Sequence, residues 1–244
     1  MRPGYRAVPF YTLSLFLLLV GLVSVAAASQ KSGIETSESA FSFGMIPYGA
    51  VVNHTFWLRN ISDSTVHISR VNAGCACTTI PIKEKTIAAG DSVPVTIILD
   101  TGKIPPKPFR KRSRITTTDS NAETAVFLFT GGCFDPETAS LPLKLDPPEV
   151  RFSINDGDTL ATIEVTNMTE TDYRIRLVSA SLEPRFSIEL PSRQLVPGRT
   201  DKIYFRLNPE FGKYPFKESF TFSLTDQGRA RITIPVVLQE HEKE

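Results

Sequence analysis

Four side chains in this sequence have the chemistry to do more than pack. Cys75 and Cys77 stand two positions apart in Asn72-Ala73-Gly74-Cys75-Ala76-Cys77-Thr78-Thr79, Cys133 is the third cysteine, and His54 lies within Val51 to Arg59. In an extended backbone residues i and i+2 share a face, so the two thiols project the same way. Three chemistries suit them. The first is a structural disulfide, Cys133 pairing with Cys75 or Cys77. The second is a soft-metal site for copper or zinc, with Cys75 and Cys77 as thiolate ligands and His54 and Cys133 available to join them. The third is thiol–disulfide exchange through the Cys-x-Cys pair. A structural zinc site generally has four well-spaced ligands, and Cys75 and Cys77 are only two positions apart.

The compartment decides which of these chemistries is open. Arg2 and Arg6 precede an apolar run from Leu13 to Val25, and Ala26-Ala27-Ala28 follows. That is the layout of a secretory signal peptide over residues 1–28. The apolar core is shorter than the roughly 20 residues a spanning helix needs. Periplasmic or secreted placement is the expectation, with an uncleaved N-terminal anchor as the alternative. Lys and Arg number 27 against 26 Asp and Glu, a formal net charge of +1. Such a balance argues against a nucleic-acid partner.

The elements that must position the cysteines read as strands. Val52, His54, Phe56 and Leu58 alternate with Asn53, Thr55, Trp57 and Arg59. Val93 to Leu99, Ala125 to Phe129, Val150 to Ile154, Tyr173 to Leu177, Ile203 to Leu207, Phe220 to Leu224 and Ile232 to Leu238 repeat the pattern. Period-2 alternation marks half-buried strands, and the turn-rich joins between them imply antiparallel sandwiches. His54 falls on the apolar side of its strand and His67, between Val66 and Ile68, on the solvent side.

The chain also repeats itself. Phe56 to Ser62 corresponds to Ile163 to Thr169, each a strand ending in Asn followed by a hydroxyl residue. Some thirty residues later Gly90 and Gly198 each feed an alternating strand. The expected architecture is therefore all-β: two tandem immunoglobulin-like β-sandwiches, over 35–134 and 141–239, joined by a proline-rich linker. Asn53-His54-Thr55, Asn60-Ile61-Ser62 and Asn167-Met168-Thr169 match the glycosylation pattern.

Phe41-Ser42-Phe43-Gly44-Met45-Ile46-Pro47-Tyr48-Gly49, His54 to Asn60, Gly74-Cys75-Ala76-Cys77-Thr78 and Ile87 to Ser92 together carry a resemblance. Over roughly residues 41 to 132 the first module resembles the DUF1573 family of bacterial exported proteins, relatives of the ASPM/SPD-2/Hydin immunoglobulin-like group. The family commonly has a second glycine between its cysteines, where this chain has Ala76. The resemblance implies a sandwich of seven or eight strands and no assigned activity.

Arg110, Arg112 and Arg114 share one face of a strand. That face suits an anionic envelope surface such as lipid headgroups, or it is a solvated face that protects a sheet edge. No nucleophile motif accompanies the histidines and no phosphate-cradling loop is present. The expected function is thus a non-enzymatic binding or scaffolding protein of the cell envelope, with a protein or envelope component as partner. The alternatives are copper or zinc handling through Cys75 and Cys77, or a thiol–disulfide partner. N-terminal sequencing of the purified protein should begin between Ala26 and Gln30; an intact Met1 on membrane-extracted protein would support the anchor instead.

Overall fold

Alternating apolar and polar residues set each strand on edge between a core and water, and the two cores that result divide the chain. The computed structural model describes residues 33–118, 124–136, 139–154, 159–180, 185–224 and 230–239. The signal segment expected over 1–28 lies outside the described residues.

The first lobe is built from β1 (Ile34–Thr36), β2 (Ala40–Pro47), β3 (Val51–Asn60), β4 (Val66–Asn72), β5 (Thr78–Thr79), β6 (Thr86–Ile87), β7 (Ser92–Asp100), β8 (Pro108–Thr117) and β9 (Thr124–Phe134). One sheet runs β1-β3-β7-β5 and the facing strands run β2-β9-β8-β4-β6. Phe43, Phe56, Ile97, Leu99, Phe127 and Phe129 are fully buried between them.

The second lobe holds β10 (Leu143–Asp146), β11 (Val150–Ser153), β12 (Leu160–Asn167), β13 (Arg176–Ser179), β14 (Phe186–Glu189), β15 (Thr200–Leu207), β16 (Phe216–Ser223) and β17 (Arg231–Gln239). Its sheets run β10-β12-β15-β14 and β13-β16-β17, with β11 beside β17. Ile203, Phe205, Phe220, Phe222 and Ile232 fill its core.

Strand pairing in the lobes corresponds element for element. β3 pairs with β7 as β12 pairs with β15, and β8 pairs with β9 as β16 pairs with β17, all antiparallel. The expectation of purely antiparallel sheets needs correction, because β2 pairs with β9, and β11 with β17, in parallel. In each lobe an early strand lies along the last one. Tyr173 makes only an isolated bridge to Leu195, and the strand expected from Tyr173 to Leu177 begins instead at Arg176.

The internal repeat has a physical cause at Asn60 and Asn167, both fully buried. The Asn60 amide donates to the carbonyls of Ser64, Ile87 and Ala88, while its oxygen accepts from the Ser62 N–H and hydroxyl. Asn167 donates to Thr171 and Leu195 and accepts from the N–H and hydroxyl of Thr169. The turn glycines complete both networks: Gly90 N–H donates to the Asn60 carbonyl and Gly198 N–H to that of Asn167. Their φ values of +82° and +70° are ones that glycine adopts freely. Burial of both asparagines leaves these glycosylation patterns closed to modification in the folded chain.

The lobes are fused. β2 reaches β17 through Ile232 and Met45, which joins the two sheets into one, and Met45 packs against the second core. Gly44 permits the approach, since a Cβ there would lie 2.0 Å from the Arg231 carbonyl oxygen. The chain from Ser32 onward accordingly forms one compact unit.

Replacing Asn60 or Asn167 with alanine leaves several buried groups without partners, at about 1 to 3 kcal/mol each. Urea unfolding should show each variant destabilised by roughly 3 kcal/mol or more, and an unchanged midpoint would remove the asparagines from this role.

Candidate functional site

β4 ends at Asn72 and the chain crosses from one sheet of the first lobe to the other. Asn72 Oδ1 accepts the Gly74 N–H at 2.9 Å, and Gly74, at φ +87°, turns the backbone against β8. A Cβ at Gly74 would lie 2.1 Å from the Arg112 carbonyl oxygen. Ser113, fully buried, donates its hydroxyl to the Ala73 carbonyl at 2.9 Å. The far side of the turn is held by Asp100 N–H to the Cys77 carbonyl at 2.9 Å and Thr78 N–H to the Cys75 carbonyl at 3.2 Å.

This turn joins Cys75 to Cys77 in a disulfide, with their Cα atoms 5.2 Å apart. The extended backbone expected between them would set those atoms about 6.6 Å apart, so the residues form a turn and not a strand end. Cys77 is buried in the first core and Cys75 is half-buried at its margin. The Thr78 hydroxyl, itself buried, lies 3.2 Å from Cys75 Sγ and 3.7 Å from Cys77 Sγ.

Cys133 is a free thiol. The expected pairing of Cys133 with Cys75 or Cys77 is therefore corrected. β9 carries Cys133 into the core from the sheet of β2 and β8, where its partner position is Ile46, while the turn has already brought the other two sulfurs together. Burial pushes the Cys133 thiol up to about 11, against the smaller opposing pull of Lys111. The two possible bonds differ in what they hold. A disulfide through Cys133 would close a loop of roughly 60 residues and add about 4 kcal/mol, whereas the three-residue Cys75–Cys77 ring adds about 1.6 kcal/mol.

His54 stands elsewhere. It is 8% exposed, stacked on Phe41 at 3.5 Å between ring centroids and edge-on to Phe56. Its Nε2 lies 2.6 Å from Glu38 Oε1 and its Nδ1 2.8 Å from Ser179 Oγ. A carboxylate only accepts, so Nε2–H donates to Glu38 and Nδ1 accepts the Ser179 hydroxyl proton. With both ring nitrogens engaged, His54 is not placed to ligate a metal beside the cysteines, and Cys75 and Cys77 are bonded to each other. Among the described residues no three or more His, Cys, Asp or Glu side chains converge as a metal site would require. His67 is exposed and touches Thr86.

Ser179 belongs to the second lobe, and its partnership with His54 had no local signal in the sequence. The same seam holds a Ser219 hydroxyl that accepts the Asn53 N–H at 2.9 Å, and Thr233 Oγ1 donating to the Phe43 carbonyl at 2.6 Å. Asn53 Nδ2 donates to Glu218, which also faces Arg185 at 3.4 Å. Beside these groups a cleft of about 290 Å³ opens between the lobes, lined by Thr55, Pro94, Thr96, Lys217 and Glu218 among others.

Arg110, Arg112 and Arg114 are exposed on one face of β8, and Arg70 is exposed on neighbouring β4. β8 is paired on both sides from Arg114 to Thr116. Before that it has β9 on one side only, and the cysteine turn lies against its other edge at Arg112.

Residues 34–138 match the family profile described as protein of unknown function (DUF1573). Among solved structures, the fold is similar to a protein of unknown function from Porphyromonas gingivalis at 16% identity, covering 84% of this chain and 99% of that one, TM-score 0.35. It is similar to the ASH/PapD-like domain 7 of human CEP192 at 12% identity, over 43% of this chain and 87% of that one, TM-score 0.35. Vibrio cholerae VesB protease matches at 12% identity and TM-score 0.36, over 41% of this chain, which spans 31% of the VesB chain. No curated protein matches the chain.

Burial lowers the His54 pKa below its usual 6.5, the Glu38 hydrogen bond and charge opposing and the Arg231 charge adding to the fall. As pH falls the unfolded chain takes up this proton before the folded one, so His54's contribution is complete above about 6.5 and is lost as pH drops through the depressed folded value. Thermal midpoints measured from pH 7.5 to 5 should fall, and the slope should flatten in His54→Gln; equal slopes would assign the pH dependence to other groups.

Proposed function

We propose that this chain is an exported, non-enzymatic binding and scaffolding protein of the bacterial cell envelope, with two immunoglobulin-like sandwiches in tandem behind a cleaved signal segment. Its docking face takes anionic lipid headgroups. The observation that carries this reading is the row of exposed guanidinium groups at Arg110, Arg112 and Arg114 with Arg70 on the adjacent strand. Successive arginines on one strand face stand about 6.6 Å apart, a spacing comparable to that of neighbouring headgroups. Four of the chain's 27 Lys and Arg side chains stand together on this face.

Supporting the scaffold role is the way the lobes are joined. A docking face on one of two loosely linked domains would leave the other free to swing. Here β2 and β17 are paired, and His54, Asn53 and Phe43 are hydrogen-bonded to the second lobe. Cargo held by either lobe is thereby oriented relative to the surface.

Each basic side chain near an anionic bilayer contributes about 1 kcal/mol. Co-sedimentation with vesicles containing phosphatidylglycerol should exceed that with pure phosphatidylcholine and fall with added salt. Replacing Arg110, Arg112 and Arg114 together with serine should weaken it by roughly a hundredfold. Equal sedimentation with both vesicle types would sink the lipid reading.

A further inference from the structure

We propose that the Cys75–Cys77 disulfide is a thiol–disulfide exchange site, attacked at Cys75 by a cysteine dithiol of another exported protein. A ring of three residues constrains the unfolded chain far less than a long-range bond, and the second lobe builds corresponding strands without any cysteine. Stability thus gives little reason for the bond. Its surroundings suit exchange.

The two sulfurs are unequal. Cys75 is half-buried and Cys77 is 5% exposed in the core, so an incoming thiolate reaches Cys75 Sγ first. Attack there forms a bond between the partner sulfur and Cys75 Sγ and breaks the Cys75–Cys77 bond. The electron pair of the broken bond goes to Cys77 Sγ. Thr78, 3.7 Å from that sulfur and 3.2 Å from Cys75, supplies a hydroxyl that can donate to a developing thiolate. Cys77 then takes up a proton from solvent. The partner's second thiolate attacks its own sulfur in the mixed disulfide and releases Cys75, which is protonated in turn. Two electrons and two protons have passed from the partner dithiol, now a disulfide, to Cys75 and Cys77.

The turn is built to persist through this cycle. Asp100 N–H, Thr78 N–H and the Ser113 hydroxyl bind the carbonyls of Cys77, Cys75 and Ala73, and none of these bonds involves sulfur. The reduced thiols therefore stay within reach of each other. Backbone from β8 abuts the turn at Gly74 and braces it from the other side. Cys133 takes no part, because it is buried on β9 and its thiol is held protonated.

The test uses the full mature chain carrying Cys133→Ala, in buffers of reduced and oxidised glutathione, with thiols counted by alkylation and mass and the fold followed by circular dichroism. The expected result is reversible two-electron exchange at millimolar glutathione with an unchanged spectrum. Adding Cys77→Ser should trap glutathione on Cys75, while Cys75→Ser should label Cys77 at least tenfold more slowly. Thr78→Val should slow reduction by about tenfold, the worth of one hydrogen bond to a charged sulfur. A disulfide that resists glutathione until the fold melts, a spectrum lost on reduction, or equal labelling of Cys75 and Cys77 would each overturn the proposal.

Discussion

In each lobe one buried carboxamide ties three separate chain segments together, and the remaining geometry is set out from it. Asn60 binds the end of its own strand, the hydroxyl turn after it and the approach to β7. Asn167 does the same for β12 and β15. A carboxamide offers two donors and an acceptor with two lone pairs, and in the core every one of them must be matched. That requirement fixes the length from strand end to glycine turn, which is why the spacing recurs in both halves. It also fixes the β3–β7 pair, which carries His54 at its middle and the anchor of the cysteine turn at its far end.

The two lobes meet through polar contacts where tandem domains often have only a linker. Thr233, Ser219 and Ser179 reach backbone or imidazole groups of the first lobe, and Arg231 lies over the Phe41 ring while its guanidinium donates to the Ser42 carbonyl. Small hydroxyls are suited to this seam. They satisfy carbonyls at short range without the entropy loss of long side chains, and they let the strands approach closely. His54 joins the seam to the first core by stacking on Phe41, so packing inside one lobe and contact with the other are coupled through a single ring.

β8 connects the features that bear on function. Its exposed face carries the arginines, its buried Ser113 holds the cysteine turn, and its carbonyl at Arg112 is the surface against which Gly74 folds. A strand alternates its side chains between faces, so it can present charge outward and support a turn from within. The proposed docking face and the proposed exchange site are neighbours for that reason.

The sequence by itself determined the all-β class, the repeat and the local turns, because strand period, Asn-x-hydroxyl turns and turn glycines act over a few residues. It also placed His54 on the apolar side of its strand and His67 in solvent. Tertiary structure decided what depends on separations of a hundred residues or more: the partnership of His54 with Ser179, the hydrogen bonds of Asn53 with Ser219, and the pairing of β2 with β17. It decided the cysteines as well. The spacing of Cys75 and Cys77 allowed an extended pair or a closed turn, and the close approach of Gly74 to the β8 backbone, which no local pattern encodes, belongs with the turn.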